Sequence, residues 1–174
     1  MKIKIIFKKK LPHILSLLRI AAAPVWAYLF LNGLYIYSII LFIMAICTDF
    51  LDGYLARKLN LSSNKGAYLD VTADFIFIST CFLGMGIKGW YPLLLPLILL
   101  VMFSLFIMSS TLKKLIYDPA GKFFGSFLMI VIFLSLIFPY SLLWDILLIL
   151  VLAIASLSLF YRFRFLIRQK RANS

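Results

Sequence analysis

Four aspartates, Asp49, Asp52, Asp70 and Asp74, hold most of this chain's capacity for chemistry. Only Asp118 and Asp145 complete the acidic set, and glutamate is absent, so four of six acids fall within 26 positions. On helices, the i, i+3 spacing of Asp49 and Asp52 and the i, i+4 spacing of Asp70 and Asp74 put each pair on one face. Four carboxylates gathered in an apolar layer repel one another and are costly unless compensated. Arg57 and Lys58 alone do not balance them. Protonation is one relief and divalent cations are another, because an all-oxygen carboxylate set suits Mg2+ or Mn2+. Four carboxylates can hold two such ions, as in two-metal phosphoryl chemistry. With one histidine and two cysteines, zinc is not expected. Cys47 and Cys81 read as apolar packing residues at different depths, not as a disulfide.

The elements that must position these acids are membrane spans. The 174 residues are 64% hydrophobic and 14% charged, with a mean hydropathy of +1.07. A soluble domain of this size has no use for so much apolar surface. Runs of about 20 apolar residues, the length that crosses a bilayer, divide the chain into six spans near residues 11–31, 34–58, 66–87, 91–112, 119–138 and 142–162. Turn signals separate them at Asn32-Gly33, Asn60 to Lys65, Lys88-Gly89 and Pro139-Tyr140-Ser141. Pro92 reads as a helix-start proline and Asp118-Pro119 as an N-cap pair. The expected fold is an all-α integral membrane protein, a six-transmembrane-helix bundle. Residues 1–10 form a basic interfacial segment, 11–165 the membrane domain and 166–174 a basic cytoplasmic tail. The N-terminus resembles a signal peptide, but Arg19 interrupts its apolar run and Pro24 follows Ala21-Ala22-Ala23, so an uncleaved first span is expected.

The net charge is +12. In an apolar chain this speaks for cytoplasmic loops and anionic headgroups, not for nucleic acid. Apart from Arg19 and Lys88, every Lys and Arg lies in the N-terminal segment, near 57–65, near 113–122 or in the tail. The positive-inside rule therefore puts both termini in the cytoplasm. At about 1.5 Å per residue, Asp49 and Asp52 lie roughly 22 and 27 Å along span two. Asp70 and Asp74 lie roughly 6 and 12 Å into the antiparallel span three. All four then converge near the inner face. Gly53, Ala56 and Gly66 leave space beside them, either for close helix packing or for a flat ligand against the backbone.

Read together, Asp49-x-x-Asp52-Gly53-x-x-Ala56-Arg57, eight residues, then Gly66-x-x-x-Asp70-x-x-x-Asp74, the stretch resembles the signature of the CDP-alcohol phosphotransferase family at every fixed position and spacing. The six-span topology is similar to that family's as well. The resemblance implies a membrane enzyme of phospholipid biosynthesis. In this family the hydroxyl of a small polar alcohol attacks the phosphorus next to the lipid of CDP-diacylglycerol or a related CDP-linked lipid, and CMP leaves. It further implies Mg2+ or Mn2+, two ions, held by Asp49, Asp52, Asp70 and Asp74, with Asp74 also the general base. Gly53, Ala56 and Gly66 would lie around the nucleotide and Arg57 near the phosphates. A homodimer in the cell membrane, with its active site facing the cytoplasm, is also implied.

The acceptor is less sharply marked. LPHILSLLRIAAAP, residues 11–24, looks like the LPN-x-LT-x-x-R pattern of phosphatidylglycerophosphate synthases, with His13 in place of asparagine and Ser16 in place of threonine. Val71-Thr72 and Phe75 depart from those enzymes, and Gly121-Lys122 resembles their later Gly-Lys element. Glycerol 3-phosphate is thus the leading acceptor, ahead of inositol phosphate, serine or another alcohol. A phosphorylated acceptor needs cations, and Arg19, Lys113, Lys114 and Lys122 are the candidates. The lysines are equally explained as positive-inside loop charges, and Arg19 either points into the polar cavity or snorkels. Gly121-x-x-x-Gly125 reads as a helix-packing face. A divalent metal-ion transporter would spread acids through the membrane depth, whereas nothing acidic lies between Asp74 and the outer end of span three. A non-catalytic scaffold would be expected to have lost a ligand, and none is lost.

Overall fold

The computed structural model describes the backbone of residues 2–58, 64–110 and 119–172, and the side-chain environments of 14–51, 69–105 and 123–160. All described secondary structure is helical: α1 Lys2–Leu31, α2 Tyr35–Lys58, α3 Asn64–Ile87, α4 Leu94–Ser110, α5 Pro119–Ile137 and α6 Ser141–Ala172. Three of these are long and apolar enough to cross a membrane, over Ile14–Leu31, Leu69–Ile87 and Ser141–Phe160. The other three carry shorter apolar stretches, Tyr35–Leu51, Leu94–Leu105 and Phe123–Ile137.

Several boundaries differ from the sequence expectation. The basic residues Lys2 to Lys10 belong to the same continuous helix as span one, because nothing in KIKIIFKKK breaks a helix. Gly66 sits inside the first turn of α3, which starts at Asn64. Pro92 precedes α4: its carbonyl accepts from the Leu95 N–H in the turn leading into the helix. α6 runs on through the basic tail to Ala172, since Arg, Lys and Gln are good helix formers. Asp118 lies outside the described residues.

The chain forms two compact units, Met1–Lys88 and Gly89–Ser174. In the first, α1 packs on both α2 and α3. Its inward face is Ser16, Arg19, Ala23, Trp26 and Phe30, all buried, while Leu17, Leu18, Val25 and Tyr28 on other faces are exposed. The facing stripe of α2 is Ser38, Phe42 and Ala45, and that of α3 is Ala73, Phe77, Cys81 and Met85. These intervals of three and four are those of one helix face. An apolar outside around a partly polar inside suits lipid as the solvent, in which helices associate through close packing and internal polar groups.

Two features fix the geometry of this unit. α1 ends in a Schellman motif: the Gly33 N–H donates to the Phe30 carbonyl at 3.1 Å and the Leu34 N–H to that of Leu29 at 2.9 Å. Gly33 takes φ of +77° there, where a side chain would be strained. Higher in the packing, Trp26 stacks on Phe30 with centroids 4.8 Å apart, and Gly84 of α3 lies beneath them. A Cβ at Gly84 would come within 3.2 Å of Trp26 Cζ3 and 3.5 Å of Phe30 Cδ1. Phe42 stacks on Phe77 at 5.8 Å and links α2 to α3. Cys47 and Cys81 are both free.

In the second unit, α5 packs on α6. The Tyr91 and Ser135 hydroxyls hydrogen-bond at 2.7 Å, and Trp90 stacks on Trp144 at 4.5 Å, tying the segment before α4 to α5 and α6. A Cβ on Gly125 would meet nothing within 4 Å. Among the described residues, no helix therefore uses Gly125 for close approach, contrary to the packing role expected of it.

These two glycines make opposite predictions. Gly84→Leu overpacks the Trp26 contact and is expected to destabilise the protein by about 1–3 kcal/mol. Gly125→Ala is expected to be neutral or to stabilise by up to about 1 kcal/mol through helix propensity. Thermal unfolding of the two variants in detergent checks both.

Candidate metal and phosphoryl-transfer site

The site forms where the C-terminal half of α2 and the N-terminal half of α3 lie against the middle of α1. α2 presents Asp49, while Asp70 and Asp74 stand one turn apart on α3. One oxygen from each of these carboxylates lies within 4.8 Å of the others. The pairing of spans two and three thus does bring acids from both helices to one place. Asp52 belongs to α2 three residues beyond Asp49, but its side chain lies outside those described. The same holds for Gly53, Ala56 and Arg57 on α2, for Gly66 on α3 and for Lys122 on α5. Lys113 and Lys114 lie outside the described residues altogether.

Arg19 enters the cluster from α1. Its Nη2 is 3.1 Å from Asp49 Oδ1, its Nη1 is 3.3 Å from Asp70 Oδ1, and Nη1 also ion-pairs with Asp74 Oδ1. The arginine side chain is 0% exposed, whereas those of Asp49, Asp70 and Asp74 are 32%, 34% and 23% exposed. The guanidinium therefore closes the cluster from the protein side and the carboxylates remain open on the other. The expectation that Arg19 points into a polar cavity holds in part. Its partners are the aspartates, as a buried guanidinium takes the nearest carboxylates.

Ser16, one turn before Arg19, is also buried. Its hydroxyl donates to Asp70 Oδ1 at 3.4 Å. The sequence reading did not assign Ser16 to the site. Its i, i+3 relation to an intramembrane arginine was the available signal, since both then face the same way.

The charges do not balance. With the three carboxylates ionised, Arg19 offsets one of three negative charges, and among the described residues no other cation is ion-paired to them. Among the described residues two negative charges are then left, beside open oxygen donors. Hard carboxylate oxygens with that surplus fit Mg2+ or Mn2+ and do not fit a soft-metal site. The residues present are thus a suitable donor set for a divalent cation.

Comparison with known proteins agrees with this geometry. Residues 9–159 match the protein-family model described as CDP-alcohol phosphatidyltransferase. A CDP-diacylglycerol--glycerol-3-phosphate 3-phosphatidyltransferase of Aquifex aeolicus is 33% identical over 129 residues, 72% of each chain. One of the same name from Cereibacter sphaeroides is 38% identical over 106 residues, covering 56% of this chain and 47% of that protein. A cardiolipin synthase (CMP-forming) of Streptomyces coelicolor is 31% identical over 116 residues, 63% of this chain and 54% of its own. Except for the Aquifex protein, the matches with these relatives span only about half of their length.

Ser16 gives the site a mild test. A long neutral-to-carboxylate hydrogen bond is a small contribution, so Ser16→Ala is expected to lower stability by about 0.5–1 kcal/mol and leave the protein folded. Chemical or thermal unfolding in detergent measures it.

Proposed function

The chain belongs to the CDP-alcohol phosphatidyltransferase family, and on that footing we propose that it transfers the phosphatidyl group of CDP-diacylglycerol to glycerol 3-phosphate, releasing CMP. The observation that carries the reading is the convergence of Asp49, Asp70 and Asp74 from two helices on one open, oxygen-lined position. The names of the Aquifex and Cereibacter relatives support glycerol 3-phosphate over inositol phosphate, serine or another alcohol. The Streptomyces relative supports a second reading, in which the acceptor is itself a lipid and the product is cardiolipin.

In the proposed reaction the acceptor's hydroxyl oxygen bonds to the phosphorus that carries the diacylglycerol. The bond from that phosphorus to the CMP oxygen breaks, and the hydroxyl proton passes to a carboxylate. Asp74 is the proposed base: it stands one turn beyond Asp70 into α3 and is the least exposed of the three described carboxylates. Asp49, Asp52, Asp70 and Asp74 would hold Mg2+ or Mn2+, two ions in the full form, and the bound metal would supply neutralisation of the diphosphate and Lewis acidity. Gly53, Ala56 and Gly66 would leave room for the nucleotide, with Arg57 at the phosphates. Lys113, Lys114 and Lys122 are proposed to receive the acceptor's phosphate. Arg19 is assigned instead to holding the carboxylates.

Helices apolar enough to span a membrane make this a membrane protein. We propose further that all six helices cross, with both termini and the aspartate site on the cytoplasmic side, as the distribution of Lys and Arg supports. That position serves one lipid and one water-soluble substrate. The homodimer rests on the family resemblance alone.

The test is CMP release from CDP-diacylglycerol by the purified protein, with glycerol 3-phosphate, inositol phosphate, serine and phosphatidylglycerol offered separately. Glycerol 3-phosphate with Mg2+ or Mn2+ is expected to give the fastest release, and a chelator to stop it. Asp74→Asn is expected to lower turnover by at least about a hundredfold, the scale of a lost general base, while the variant stays folded. Release with none of the alcohols would refute the transferase reading, and an active Asp74→Asn would refute the base.

A further inference from the structure

Arg19 has a second role in the metal-site reading, on which this inference rests. We propose that Arg19 is a built-in counter-ion that holds the aspartate cluster together in the metal-free protein and competes with the divalent cation for it. Among the described residues its ion pairs fall on the Oδ1 atoms of Asp49, Asp70 and Asp74. The same three residues offer the donor oxygens that lie within 4.8 Å of one another. A cation gathering those residues meets the guanidinium at the point of convergence.

Burial keeps Arg19 beside the cluster. The side chain is wholly enclosed on the α1 side, so it does not leave for solvent when another cation approaches from the open side. Like charges at such separations weaken each other's binding whether the metal displaces the guanidinium or sits beside it. The planar fork of arginine also reaches several carboxylates at once, which the single ammonium of lysine does not. Without metal, Arg19 relieves the repulsion among carboxylates held in an apolar protein. With metal, it lowers the affinity of the site and keeps the ion exchangeable.

The experiment uses the full chain purified in detergent, with Mn2+ as the probe. Free Mn2+ is followed by its paramagnetic resonance signal, and thermal unfolding is recorded in chelator and in Mn2+. Wild type is compared with Arg19→Met and Arg19→Lys. Arg19→Met is expected to unfold several degrees lower in chelator, to gain more from Mn2+ than wild type does, and to bind Mn2+ about tenfold or more tightly. Arg19→Lys, which keeps the charge without the fork, is expected to fall between the two. If Arg19→Met does not survive chelation, metal-dependent folding of that variant supports the proposal and the lysine variant supplies the affinity comparison. Wild-type binding of Mn2+ with an unchanged or weaker affinity in both variants would overturn it. If wild type binds no Mn2+, the metal-site reading fails and this inference fails with it.

Discussion

A surplus of negative charge held inside an apolar protein is the constraint on which the rest of this structure depends. Among the described residues three carboxylates share one guanidinium, and in a lipid setting such an imbalance persists only where it is useful. Each helix of the first unit contributes to maintaining it. α2 brings Asp49, α3 brings Asp70 and Asp74, and α1 brings Arg19 with Ser16 behind it. The open sides of the carboxylates give a divalent cation access, and the buried Arg19 closes the other side.

Packing keeps that charge cluster in register. Lipid offers little hydrophobic drive for helix association, so the helices rely on close contact. Gly84 under the Trp26–Phe30 stack and the Phe42–Phe77 stack brace α3 against its two neighbours on the face that also carries the acids. The Schellman turn at Gly33 fixes where α1 ends and α2 begins. The aspartates are thus set by rigid helix faces rather than by a loop, as a site with demanding geometry requires.

Much of this was legible in the sequence. Asp49, Asp70 and Asp74 could be placed together because helical spacing and rise are fixed numbers, and two antiparallel helices joined by a short loop must meet at one depth. The turn at Asn32-Gly33 was legible because few residues adopt a positive φ, and that at Pro139-Tyr140 because proline does not continue a helix. Arg19 was recognisable as an expensive charge, but its partners were not, since pairing across α1 and α3 depends on a tertiary contact that no local spacing encodes. The continuation of helices to Lys2 and Ala172 was not marked in the sequence, because a change from apolar to basic composition alters the solvent and does not stop a helix. Gly125 shows the converse case: among the described residues no neighbour comes close enough to use it.

The account stands on the claim that this charge imbalance is a divalent-cation site. Its most direct test is the stoichiometry of Mn2+ bound to the purified wild-type protein and to an Asp49→Asn/Asp70→Asn double variant, measured by equilibrium dialysis with metal analysis. The account predicts at least one tightly bound ion per wild-type chain and its loss in the folded double variant. Equal Mn2+ on both proteins, or none on the wild type, would contradict it.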